Sequence, residues 1–133
     1  MEFHHFGLAV NQFEPALRFF KHLGYTSIGP VTDLHQKVEL IMCHHVSQPD
    51  VELIKPLNED SPVSSFLKKN NEMIYHPCYR VASIRKTIEV DLKQMRVIEI
   101  SGATPAVLFD NNPVAFFYVK GLGLIELLEL KDE

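Results

Sequence analysis

Two histidines and two glutamates stand where they can act together: His5, Glu52, His76 and Glu126. Each sits in a short apolar run whose alternation fixes its phase. In "HHFGLAV" (4–10), Phe6, Leu8 and Val10 are bulky and apolar, while His5, Gly7 and Ala9 fall on the other face. Val51 and Leu53 flank Glu52, Pro77 and Tyr79 lie opposite His76, and Ile125 and Leu127 flank Glu126. Period-two alternation of this kind predicts strands whose faces meet different surroundings. With the apolar faces covered by helices, the four polar side chains point to the uncovered side of a sheet. Two carboxylates gathered there repel each other and are costly to desolvate. A divalent cation between them removes that cost. Nitrogen and oxygen ligands without thiolate suit zinc, nickel, cobalt, manganese or ferrous iron. Four protein ligands on an octahedral ion leave two positions for a small molecule with two neighbouring oxygens. A single strand glutamate ordinarily faces water, and a single strand histidine ordinarily makes a structural hydrogen bond. The joint pattern, equivalent positions in a duplicated unit and one phase, is what points to a metal.

The elements that must position these residues recur in the same order twice. After the strand 4–10, "NQFEPALRFFKHLGY" places Phe13, Ala16, Leu17 and Phe20 at helical spacing, with Asn11 as the expected cap and Gly24 as the stop. "YTSIGPV", "QKVELIMC" and "DVELIKP" predict three short strands. Residues 59–72 predict a linker with a short helix, Ser61 as its cap and Pro62 in its first turn. Then "IYHPCYRV" (74–81) predicts a strand and "SIRKTIEVDLKQM" (83–95) a helix with Ile84, Ile88, Leu92 and Met95 on one stripe. "RVIEI", "PVAFFYV" and "LGLIELLEL" predict three more strands. The expectation is an α+β protein of two βαβββ modules, 1–58 and 73–133, forming one domain whose curved mixed sheet surrounds a metal cavity. Weak internal echoes support the duplication: "HFGLAV" against "HPCYRV", and "VELI" against "IELL".

Composition narrows the function classes. At 133 residues, 46% apolar and 23% charged, the chain is an ordinary globular protein. A net charge of −4 argues against nucleic acid or an anionic membrane as partner. Two cysteines, Cys43 and Cys78, are too few for a disulfide scaffold and fit a reducing cytoplasm. No basic segment followed by an apolar stretch opens the chain, so no secretion signal is expected. Of the other histidines, His4 is expected to face away from His5, His44 and His45 to lie in a polar loop, and His22 and His35 at the surface. Cys78 shares the face of His76 and is expected to line the cavity rather than act as a nucleophile.

Along nearly its whole length the chain resembles the vicinal oxygen chelate superfamily, the glyoxalase/bleomycin resistance/dioxygenase group. "HHFGLAV", "VELIKPLNEDSPVSSFLKK", "YHPCYRV" and "GLIELLE" resemble its methylmalonyl-CoA epimerase branch most. The resemblance implies metal ligation by His5, Glu52, His76 and Glu126, a set also similar to that of bacterial glyoxalase I. It further implies a second carboxylate on the third strand, matched to Glu39 and expected to face the cavity. The implied chemistry is proton abstraction α to a carbonyl, with Glu126 as first choice of base and Glu39 as its partner. Arg80, on the face of His76, is a candidate for an anionic group of the substrate. The implied partners are a small substrate with vicinal oxygens, such as a thioester, and a second copy of the chain in a homodimer. Two segments depart from the epimerase pattern, "YVKGLG" in place of an "HPK"-like stretch and "SGATPAVLFDNNPV" in place of a glycine-rich one, and both are expected to touch substrate. The alternatives are a lactoylglutathione lyase-like enzyme, a drug-binding bleomycin-resistance-type protein, an extradiol dioxygenase, and a regulatory domain that keeps the site unused. The filled fourth ligand slot, Glu52, argues against the last catalytic alternative, oxygen activation on a facial triad.

Overall fold

The computed structural model of the protein describes residues 1–131 and divides into two compact units, one of residues 5–75 and one of residues 76 onward together with Met1–His4. The elements are strands β1 (Glu2–Ala9), β2 (Thr26–Asp33), β3 (Val38–His44) and β4 (Val51–Pro56), with helix α1 (Phe13–His22) after β1. Helix α2 (Pro62–Asn70) follows. Then come β5 (Met73–Val81), helix α3 (Ile84–Lys86), β6 (Val97–Ala106), β7 (Asn112–Val119) and β8 (Gly123–Glu129). This is the α+β, twice-repeated βαβββ order read from the sequence. Among the described residues, no helix is long and apolar enough to cross a membrane.

In the first unit the strand order is β2-β3-β4-β1. β1 and β4 run parallel, with Gly7 opposite Glu52 and Leu8 opposite Leu53. Parallel pairing requires a crossover, and α1 is that crossover. One face of the sheet gives Val10, Tyr25, Ile41, Cys43, Val51 and Leu53 to a core that Phe13, Ala16, Leu17 and Phe20 of α1 cover. The helical spacing of those four residues is the reason α1 lies there. α1 ends where Gly24 adopts a φ of +94°, as expected of a glycine after the last turn. Its start differs from expectation. The cap position is Gln12, which makes no side-chain capping bond, and Asn11 donates instead to Glu72 at 2.7 Å. α2 starts as read: the Ser61 hydroxyl accepts from the Val63 amide, and Pro62 occupies the first turn.

In the second unit the order is β5-β8-β7-β6. Here β5 and β8 are the parallel pair, with Cys78 opposite Glu126 and Tyr79 opposite Leu127. Val81, Ala115, Phe117, Val119, Ile125 and Leu127 form the helix-side core with Ile84, and Tyr79, Ile88 and Val97 pack against it. The second helix is shorter than its apolar stripe implies. α3 is capped by Ser83, whose hydroxyl accepts from Lys86, and it runs directly into a wide turn over 87–91 closed by the Leu92 amide on the Thr87 carbonyl. That i to i+5 turn changes the angular step per residue. The stripe therefore loses phase, Leu92 stays buried and Met95 is 57% exposed.

Candidate functional site

The four residues singled out by their phase are all withdrawn from water: His5, Glu52, His76 and Glu126 are at most 4% exposed. Each unit carries one imidazole and one carboxylate on the face opposite its helix. In the first unit, β1 presents His5, Gly7 and Ala9 on this face, and β4 presents Glu52 and Ile54. Nε2 of His5 lies 3.7 Å from Oε1 of Glu52. Two donors about 2.1 Å from one cation, at tetrahedral or octahedral angles, stand roughly 3.0–3.4 Å apart. The observed pair is within a small side-chain adjustment of that spacing. A buried carboxylate and a buried imidazole with ligand atoms so disposed fit a hard or borderline divalent ion.

In the second unit, β5 presents His76, Cys78 and Arg80 on the same kind of face, and β8 presents Leu124, Glu126 and Leu128. β7 contributes Val114, Phe116 and Tyr118, opposite Leu128, Glu126 and Leu124 respectively. The Phe116 ring meets the His76 ring edge to face, with centroids 4.9 Å apart and planes at 71°. This contact fixes the tilt of the imidazole. The Phe116 amide in turn donates to the Ser101 hydroxyl of β6 at 3.4 Å. Neither Phe116 nor Ser101 stands out in the sequence, because "PVAFFYV" is apolar at almost every position and its phase cannot be read from alternation. The signal was available only in the antiparallel register with β8.

Two expectations need correction. Glu39 does not share the face of Glu52. β3 pairs with β4 so that Met42 opposes Glu52 and Glu39 opposes Lys55. Ile41 and Cys43 belong to the core under α1, and Glu39 shares their parity. Its carboxylate lies 3.9 Å from Nζ of Lys55, which sits over the Phe13 ring at 5.7 Å. Leu40 and Met42 are the β3 side chains in phase with Glu52. The reason is plain in the sequence of β3: both of its faces are apolar enough to be core, so alternation gives the two sets without saying which is covered. His4 also departs from its expected place. Its ring packs edge to face on Phe109 at 5.2 Å, and a ring nitrogen lies within 4.8 Å of the Cys78 sulfur. Cys78 is on the ligand-bearing face of the second unit, fully buried, as lining rather than as an accessible thiol.

The remaining histidines have structural duties or none in the site. The ring of His45 accepts at Nδ1 from the amides of Ser47 and Gln48 and bonds at Nε2 to the Leu23 carbonyl, tying the β3–β4 loop to the end of α1. His44 pairs with Asp50 at 2.6 Å. Arg80 lies on the predicted face, opposite Leu128, and is partly buried.

The chain and its fold resemble known proteins at the level of family. The family described as glyoxalase/bleomycin resistance protein/dioxygenase superfamily matches residues 4–116. The chain is 29% identical over 126 residues to the mitochondrial methylmalonyl-CoA epimerase of Bos taurus, covering 92% of this chain and 71% of the relative. It is 27% identical to the ethylmalonyl-CoA/methylmalonyl-CoA epimerase of Cereibacter sphaeroides, covering 92% of this chain and 93% of the relative. A crystal structure of a hypothetical protein from Bacillus halodurans superposes with a TM-score of 0.83 at 28% identity, covering 99% of this chain and 96% of the other. The chain belongs to the glyoxalase/bleomycin resistance protein/dioxygenase superfamily.

Proposed function

We propose that the protein is a metal-dependent epimerase that abstracts the proton α to the carbonyl of an acyl-coenzyme A thioester, in the manner of methylmalonyl-CoA epimerase. The observation that carries this is that each unit buries one histidine and one glutamate on its helix-free face: His5 and Glu52, with Nε2 and Oε1 3.7 Å apart, and His76 and Glu126. The names of the relatives supply the substrate class. The four side chains together are the ligand set, and zinc, nickel, cobalt and manganese all suit their donors. Burial makes an ionised carboxylate costly, and a divalent cation held by these residues would offset that cost. When bound, a divalent cation supplies Lewis acidity toward a substrate with vicinal oxygens.

The chain's own groups do the rest. Phe116 holds the His76 ring at its tilt. Gly7 and Ala9 keep the face beside His5 and Glu52 open to a ligand. Glu126 takes the α-proton from one face, and a proton taken up on the opposite face of the planar enolate inverts the α-carbon. Leu124 and Leu128 are its apolar neighbours on the same face of β8. Glu39 has no part in this step, since it lies on the opposite face of its strand. Of the other superfamily chemistries, a glyoxalase I-like lyase would draw on the same donor set, and assay of a glutathione hemithioacetal separates the two.

The test uses the full-length protein loaded with manganese or cobalt and then desalted. Elemental analysis should give one divalent ion per chain for the parent and a large loss for His5→Ala. Equal content in both excludes the ligand set. Methylmalonyl-CoA in deuterium oxide should exchange its α-proton with the parent protein. Glu126→Gln retains one oxygen donor but no base, and should slow exchange by about two orders of magnitude or more. Exchange at the parent rate by a metal-loaded variant removes Glu126 from the base role.

A further inference from the structure

The β6–β7 hairpin tip sits where the sequence departs from the epimerase pattern, and its structure gives it a task. The tip is a single tight turn over Val107–Phe109, followed by Asp110 and Asn111 with φ of +53° and +60°. Two hydrogen bonds lock it: the Asn111 amide on the Ala106 carbonyl at 2.9 Å, and the Asn112 side-chain amide on the Phe109 carbonyl at 2.7 Å. This geometry lays the Phe109 side chain back onto the sheet. It packs against a cluster of Cys78, Ala106, Val114 and Leu128, two of which are fully buried. Cys78 is the register partner of Glu126, and Leu128 is its next neighbour on the same face. Residues two apart on a strand are about 6–7 Å apart. Phe109 therefore packs against the apolar cluster that contains the register partner of the carboxylate and its next neighbour on the strand. Its ring also meets the His4 ring edge to face, with centroids 5.2 Å apart. A backbone tied by two hydrogen bonds and a ring in contact with both the cluster and His4 do not yield readily to a bulky group.

We infer that Phe109 sets the upper size of the alkyl group borne by the α-carbon of the acyl thioester, by occupying the apolar floor beside Glu126. The inference rests on the proposed thioester α-proton chemistry. It assigns a specificity-determining role to a tip residue that lies off the ligand-bearing strands. With Phe109 in place the floor accepts methyl and rejects larger groups, so the chain is a methylmalonyl- rather than an ethylmalonyl-type enzyme. A single methylene in an apolar pocket changes kcat/KM by about 10- to 200-fold, and a filled floor places this chain within that range.

The experiment compares methylmalonyl-CoA and ethylmalonyl-CoA as substrates for α-proton exchange with the metal-loaded parent, Phe109→Ala, Phe109→Leu and Val107→Ala. The affinities of the same four proteins for propionyl-CoA and pentanoyl-CoA, measured calorimetrically, give a readout independent of turnover. The parent should favour methylmalonyl-CoA by at least about 10-fold. Phe109→Ala should bring the ratio close to one and tighten pentanoyl-CoA selectively. Phe109→Leu, which keeps the tip apolar and folded, should fall between, and Val107→Ala should match the parent. A parent that exchanges methylmalonyl-CoA, with a ratio and affinities unchanged in both Phe109 variants, overturns the role of Phe109 alone. A parent that exchanges neither substrate and binds neither acyl-CoA overturns the thioester reading and this inference with it.

Discussion

At the scale of single residues, burial decides which titratable groups are available for chemistry. Glu126 and Glu52 are carboxylates at most 4% exposed, and their neighbours along the strand, Ile125 and Leu127, and Val51 and Leu53, are aliphatic. Cys43 shows the opposite outcome. It is 1% exposed in the core under α1, and burial alone pushes its thiol up from 9.0 to about 11. The neutral form is the one that folding favours. The contribution to stability is thus fully present below about pH 9 and is lost as pH climbs toward 11. At pH 8 the thiolate fraction of Cys43 in the native protein is negligible, and Cys78 is sealed on the other face. An aromatic disulfide reagent should therefore label neither cysteine on the timescale of minutes, and both at once after denaturation in guanidinium chloride. Rapid labelling of the native protein at Cys43 would show that the α1 core opens.

At the scale of elements, the strand β3 and its neighbours β2 and β4 place Glu52, so what fixes β3 fixes the site. β2 is irregular between Ile28 and Val31, where its pairing with β3 shifts register. Gly29 lies at that point with a φ of +125°, and a Cβ there would come 2.7 Å from the Leu40 carbonyl oxygen. That contact is with backbone, which cannot swing aside. Gly29→Ala should lower stability by about 1–3 kcal/mol, the usual cost of a side chain at a strained φ. Urea unfolding measures it, and an unchanged midpoint would show that β2 is free to re-register. On the second unit the same logic makes β7 the support of β8, since Phe116 bridges Ser101 and His76 from the middle of the sheet.

At the scale of the whole molecule, the second unit ends its strand order with β6, whose face is largely open to water. Ile98 is 61% exposed and Ile100 is 58% exposed. Long open edges with apolar side chains pair with other chains unless something covers them. We expect a second copy of the chain to do so, giving a homodimer of twice 15.2 kDa. Light scattering at high micromolar concentration tests this, and Ile98→Lys with Ile100→Lys should shift the mass toward the monomer. A parent that scatters as a single 15.2 kDa chain at that concentration rules the dimer out.

The local signals carried far. Alternation placed Glu52 and Glu126 on the side away from the helices because the aliphatic pairs Val51 and Leu53, and Ile125 and Leu127, flank them. It placed His5 and His76 there less directly, from Phe6 and Leu8 and from Tyr79 and Val81 on the opposite face. Ser61 and Pro62 marked the start of α2 and Gly24 the end of α1, since capping depends on a few adjacent residues. Three features were decided only by tertiary packing. β3 has two apolar faces, and its register with β4, together with the seating of α1, chose Ile41 and Cys43 for the core and so turned Glu39 away. β7 is apolar throughout, and pairing with β8 alone brought Phe116 to His76. The tip of the β6–β7 hairpin has no periodicity to read, and its left-handed turn, with two hydrogen bonds across it, is what lays Phe109 against the cluster of Cys78, Ala106, Val114 and Leu128. Where a face is marked by chemistry the sequence names it; where both faces are apolar, or the chain turns, only the packed partner does.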